Sequence, residues 1–164
     1  LHEPYRRQRQ MCIRDSVMTK SYPKWADLPE IDLYLDQVLL YVNQINQANH
    51  PSDKGLTASM INNYVKHGHL DKPTKKKYSR KQVARLIVIT CLKNVFSIQE
   101  ISQTLALLTA DDQSQKRYDD FVACMNGEEV ADVPAVVLSA CQTLQLYDQT
   151  HQLVQELGGV ADEC

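Results

Sequence analysis

Glycine is scarce, with five in 164 residues, and none falls in the spaced cluster that cradles a phosphate. A nucleotide-binding loop of that kind is therefore excluded. The five cysteines, Cys12, Cys91, Cys124, Cys141 and Cys164, form no CxxC pair and have no histidine at metal-ligand spacing. Their odd number does not suit a secreted disulfide framework, so Cys91, Cys124 and Cys141 read as small core residues of a cytoplasmic protein. No run of about twenty apolar residues is present, which excludes a membrane-spanning helix. Catalytic order is missing too: no Ser-His-Asp or Cys-His arrangement fits a credible scaffold, and the close pair His67 and His69 has only Asp71 nearby. An enzyme is not expected, and neither a metal nor a cofactor is implied.

Net charge is also small, at −2, but it is unevenly spread. Residues 54–93 carry ten Lys and Arg against the single acid Asp71, a net of +9. Residues 1–53 sum to −1, and residues 94–164 to −10. A basic middle joined to an acidic end points to a polyanion-binding module attached to something else.

The centre of that basic stretch is residues 56–80. Thr57 can cap a helix, and Gly68 can end it in the left-handed conformation. Between them Ile61, Tyr64 and Val65 recur at helical spacing and should face a core, leaving Ser59, Asn62, Asn63, Lys66 and His67 on the other side. Pro73 then breaks the helical pattern, and Lys75, Lys76 and Lys77 lead into Tyr78, Ser79 and Arg80. An extended basic loop or small hairpin is the natural reading.

These residues carry a resemblance. The string Met60-Ile-Asn-Asn-Tyr-Val-Lys-His-Gly-His-Leu70, the basic loop, Lys77-Tyr-Ser-Arg80, an aliphatic helix and Phe96-Ser-Ile-Gln-Glu-Ile101 together resemble the winged helix-turn-helix of MerR-type bacterial regulators. More specifically, residues 25–105 are similar to the bacterial domain of unknown function 1836, whose members carry Tyr-Pro-x-Trp, Asp-Leu-Tyr, Ser-Met-Ile-Asn-Asn-Tyr-Val-Lys and Lys-Lys-Tyr-Ser-Arg. The resemblance implies a mainly α fold: a MerR-like winged helix-turn-helix with a small basic wing and a C-terminal helical extension. It also implies a homodimer, because MerR-type proteins pair through a helix after the DNA-binding region. One departure matters. Asn62, Asn63 and Tyr64 stand where MerR-type recognition helices usually have an Arg and an aromatic pair, so the base preference of those proteins does not carry over.

Elsewhere, residues 1–17 look foreign to the rest. The string Met11-Cys-Ile-Arg-Asp-Ser16 resembles a translated adaptor remnant, so a natural start at Met18 and a disordered leader without function are expected. Asp27 and Pro29 open an expected helix running to about Gln47, with Ile31, Leu35, Val38, Leu39, Val42 and Ile45 as its apolar stripe and Trp25 as a lid on it. Ser79 with Gln82, and Ser97 with Glu100, are capping boxes for two further helices. The first of these should turn Val83, Leu86, Ile87, Thr90 and Cys91 inward. Residues 111–125 form another expected helix. Asp132 and Pro134 open the last, with Val137, Ala140, Cys141, Leu144, Tyr147, His151 and Val154 on its apolar side and His151 as an interior or rim histidine. The domain reading is a leader (1–17), a DNA-binding domain (18–109) and a helical extension (110–164) for dimerisation or regulation.

The function expected is a sequence-specific transcriptional regulator that binds double-stranded DNA. A recognition helix at 57–67 would place Ser59, Asn62, Asn63, Lys66 and His67 in the major groove, with Thr57 near the backbone. A wing at 72–80 would hold phosphates or a minor-groove edge with Lys75, Lys76, Lys77, Tyr78 and Arg80. The alternative is a protein-interaction or adaptor module on the same scaffold, including an intramolecular form in which residues 111–132 cover the basic face.

Overall fold

A computed structural model describes residues 21–163, so the expected leader at 1–17, Cys12 and Cys164 lie outside the described residues. The described chain is mainly helical, with one two-stranded antiparallel sheet. After a 3-10 turn at Trp25–Asp27, strand β1 is Leu33–Tyr34 and helix α1 is Leu35–Asn49. The remaining elements are α2 (Ala58–Lys66), β2 (Lys77–Tyr78), α3 (Arg80–Leu92), α4 (Ile98–Leu108), a second 3-10 turn (Ala110–Asp112), α5 (Ser114–Met125) and α6 (Ala135–Glu163).

Helix α3 is the centre. Ten of its thirteen residues are buried, including the five expected to face inward. A helix covered nearly all round must sit inside its neighbours. It packs against α1, α4, α5 and β2. Both capping boxes form: Gln82 Oε1 accepts from Ser79 N at 2.7 Å, and Ser97 Oγ accepts from Glu100 N at 3.2 Å.

Helix α1 corrects the sequence reading at its start. It opens at Leu35, not at Asp27, with Gln37 Oε1 accepting from Tyr34 N. The physical reason lies in β1. Leu33 and Tyr34 are extended because they pair with Tyr78 and Lys77, and that pairing holds the backbone out of the helix. Ile31, expected on the stripe, is 71% exposed as a result. Val38 and Val42 are buried as expected.

Trp25 is also displaced from its expected place. Its ring meets Tyr118 of α5 edge-on, with centroids 6.1 Å apart. The lead-in is strapped there by Tyr118 Oη donating to Pro23 O, Trp25 N donating to Asp119 Oδ1, and Tyr22 N donating to Asn126 Oδ1. Together with Phe121 and Val122 of α5 and Val137, Cys141 and Leu144 of α6, these contacts carry the core through the expected boundary at 109/110. Helix α5 begins at Ser114, because Asp111 and Asp112 take left-handed φ values of 59° and 60°.

Helix α6 packs on α5 through its first half only. Beyond Leu144 its contacts are fewer: Asp148 Oδ1 lies 3.4 Å from His50 Nδ1, and Gln155 Nε2 donates to Ser52 Oγ at 3.4 Å. Leu146, Leu153, Val154 and Leu157 are exposed, and so is His151, whose ring tilts on Tyr147 at 5.1 Å. Among the described residues Cys91, Cys124 and Cys141 form no disulfide; Cys91 and Cys141 are buried and Cys124 is half-buried. No described helix is long and apolar enough to cross a membrane.

Candidate nucleic-acid interface

The loop that delivers the chain to α2 is fixed by side chains of α1 and by Asp53. Asn43 brackets Leu56, donating Nδ2 to its carbonyl at 2.9 Å and accepting its N–H at 2.8 Å. Asp53 Oδ2 accepts from Asn46 Nδ2 at 2.7 Å and from Gly55 N at 3.1 Å, while Asn94 Nδ2 reaches Oδ1 and Lys93 lies 3.7 Å away. Burial acts to raise the pKa of this carboxyl. The hydrogen bonds from Asn46 and Asn94, the Lys93 charge and the Gly55 N–H outweigh it, and the net shift is downward. Gly55, at φ +76°, comes so close to Asn43 that an added Cβ would stand 2.5 Å from its Oδ1.

Helix α2 then starts as expected. Thr57 Oγ1 accepts from Met60 N at 3.2 Å. Ile61 and Tyr64 are buried and Val65 half-buried, anchoring one face. The other face, Ser59, Asn62, Asn63, Lys66 and His67, is exposed. His67 is held in place, its Nδ1–H donating to Asn63 O at 2.9 Å, and its ring stacks on that of His69 at 6.2 Å. Gly68, at φ +77°, reverses the chain, and His69 N and Leu70 N both return to Tyr64 O.

The basic loop is a two-residue hairpin. Thr74 and Lys77 exchange both backbone hydrogen bonds at 3.0 Å, and the two residues between them, Lys75 and Lys76, have φ of 53° and 68°. Two consecutive positive φ values define a type I′ turn, which normally selects Asn and Gly. Lysine at both places is strained, and both side chains project into solvent.

The other expected contact residues differ among themselves. Lys77 is half-buried, with its Nζ 5.1 Å from the centre of the Tyr34 ring. Arg80 is half-buried, with a long approach of 3.9 Å to Glu30. Tyr78 is a correction: at 3% exposure it belongs to the core and is not available to a phosphate. Period-two alternation on β2 puts Lys77 out and Tyr78 in, a distinction that the string Lys-Tyr-Ser-Arg does not display until its strand partner is known.

Three supporting roles have no counterpart in the sequence reading, where Arg85 is expected only to enlarge the basic face with Arg80 and Lys81. Gln82, beyond its capping role, donates Nε2 to Asp71 O at 2.8 Å and Lys72 O at 3.0 Å. Arg85 Nε donates to His69 O at 2.8 Å. Helix α3 thus holds the connection from α2 to the hairpin by its carbonyls. Tyr34 supplies the ring beneath Lys77. The sequence signal for Gln82 and Arg85 is only their spacing on one side of α3. Acids of residues 111–132 that form ion pairs do so with Lys24, Lys116 and Arg117, not with the hairpin lysines. Among the described residues, no group of three His, Cys, Asp or Glu could hold a metal.

The family model described as Domain of unknown function (DUF1836) matches residues 23–121. No curated protein and no solved structure matches the chain.

Proposed function

We propose that this chain, which belongs to the DUF1836 family, is a sequence-specific transcriptional regulator acting on double-stranded DNA in the cytoplasm through a winged helix-turn-helix. Helix α2 is the recognition helix and the hairpin around Lys75 and Lys76 the wing. The observation that carries the reading is the pairing of an exposed Asn62, Asn63, Lys66 and His67 face with an anchored helix behind it. Asparagine amides on a rigid helix suit adenine edges in a major groove, and unpaired ammonium groups suit phosphates. Tyr78 drops out of the contact set, leaving Lys75, Lys76 and, more weakly, Lys77 and Arg80 for the backbone.

A second copy fits the outer half of α6, where Leu146, Leu153, Val154 and Leu157 are exposed among the described residues. A homodimer built on that stripe would read a palindromic site, with half-sites about one helical turn apart.

The test is titration of the purified chain with random duplex, and with a duplex selected from random pools, across a salt series. Asn62→Ala should cost about 1–3 kcal/mol on the selected site and little on random duplex. If the protein binds neither duplex at low salt, the adaptor reading replaces this one.

A further inference from the structure

Helices α3, α4, α5 and the start of α6, with Trp25, line a partly open pocket of about 200 Å³. Its walls are apolar, with Val88, Leu92, Ile101, Leu105 and Phe121 among them. Three cationic residues, Lys81, Arg85 and Arg117, also line it, together with the acid Glu100. Glu100 is already engaged, its Oε1 accepting from Ser97 Oγ at 2.9 Å. Arg117 gives Nη1 to Asp120 at 3.1 Å, but its Nε is buried with no hydrogen-bond partner. Arg85 spends Nε on the His69 carbonyl, and among the described residues no carboxylate forms an ion pair with it. Burial disfavours its charge and Asp71 only partly compensates, yet a guanidinium does not give up its proton.

A buried donor without an acceptor costs free energy that an anionic ligand would recover. The Nε edge of a guanidinium offers two parallel N–H bonds, the geometry a carboxylate accepts. Size sets the rest of the ligand, since an apolar cavity of about 150 Å³ accommodates benzene. We infer that this pocket binds a small apolar carboxylate, one ring or a short aliphatic chain in length, with its anionic end on Arg117 and Arg85. Because Arg85 also holds the carbonyl of His69, occupation is transmitted to the turn after α2. Only that consequence rests on the DNA-binding reading.

The experiment uses the full chain without DNA, so its outcome is independent of the role of α2. Phenylacetate and octanoate are titrated by calorimetry and amide chemical shift, against the neutral 2-phenylethanol and 1-octanol. A charge-assisted hydrogen bond is worth about 1.5–3 kcal/mol, so each carboxylate should bind at least about tenfold more tightly than its alcohol. Arg117→Gln, or Arg117→Lys if the first variant folds poorly, should abolish that preference and keep alcohol binding. Thr104→Trp, which fills the pocket, should abolish both. Equal affinity for acid and alcohol, binding of neither carboxylate, or a preference that survives both Arg117→Lys and Arg85→Lys would overturn the inference. So would a dimer that Thr104→Trp converts to monomer, because the pocket would then be filled by a second copy.

Discussion

Replacing Lys75 and Lys76 by Asn and Gly should make the protein more stable and a poorer DNA binder at once. The two lysines have φ of 53° and 68°. The left-handed region costs an L-residue with a full side chain about 1–2 kcal/mol. Asn and Gly tolerate it, although the added glycine returns about 0.5–1 kcal/mol through greater freedom of the unfolded chain. Over the two positions the net gain should be about 1–3 kcal/mol, and for a chain of this size each kcal/mol raises Tm by about 2–4 °C. Binding should move the other way. Two ammonium groups lost from phosphate contact should flatten the plot of log affinity against log salt by up to about 1.8, at about 0.9 per phosphate. Lys76→Gln separates the effects, since it removes one charge and leaves the strained φ in place. The assays are denaturant unfolding and fluorescence anisotropy on random duplex between low and moderate salt. A double variant no more stable than the parent would refute the strain argument. An unchanged salt slope would refute the placement of this hairpin on the phosphate backbone. Strain kept where it serves binding is a recognised pattern at functional sites.

Further expectations concern the supports of α2 and β2. Asp53 has a lowered pKa, so its contribution to stability is full above the unfolded carboxylate value near about 3.9 and is lost as pH falls through the lower folded value. Asp53→Asn should therefore flatten the acid limb of the stability curve, and an acid limb identical to the parent's would show that the cluster around it is without effect. Thr57→Ala removes the cap on Met60 N and should cost about 1 kcal/mol in denaturant unfolding, with an unchanged m-value. Tyr78→Phe keeps the buried ring and should leave DNA affinity intact, whereas Tyr78→Ala should cost about 3–5 kcal/mol of stability. Affinity lost in Tyr78→Phe without loss of stability would return that phenol to the binding surface.

Local signals were legible in the sequence where a residue acts within one turn of itself. Thr57 and Ser97 each cap the helix they precede, because hydroxyl and backbone N–H are three residues apart whatever else the chain does, and Gln82 answers Ser79 N across the same spacing. The inward faces of α2 and α3 were legible for the same reason. Long-range pairing hid the rest. Nothing near Ile31 announces that residues 33–34 will be drawn into a strand by residues 77–78, so the helical periodicity was extended too early. The same pairing decides that Tyr78 is inside. Trp25 was assigned to the wrong helix because its partners, Asp119 and Tyr118, lie far along the chain. In the candidate site the exposed residues of α2 could be listed from periodicity. The bracing by Gln82 and Arg85 could not, since it depends on backbone carbonyls that no side-chain pattern records.

The two-residue ribbon between β1 and β2 has a consequence for biosynthesis. Strand β1 leaves the ribosome first and has no partner until α1, α2 and the hairpin have followed it, because β2 lies downstream of both helices. A truncated or half-folded product would carry the same positive charges without their geometry, and so would lack the grip on nucleic acid proposed for the finished molecule. The shape of the hairpin thus depends on a short segment before α1 as well as on its own turn.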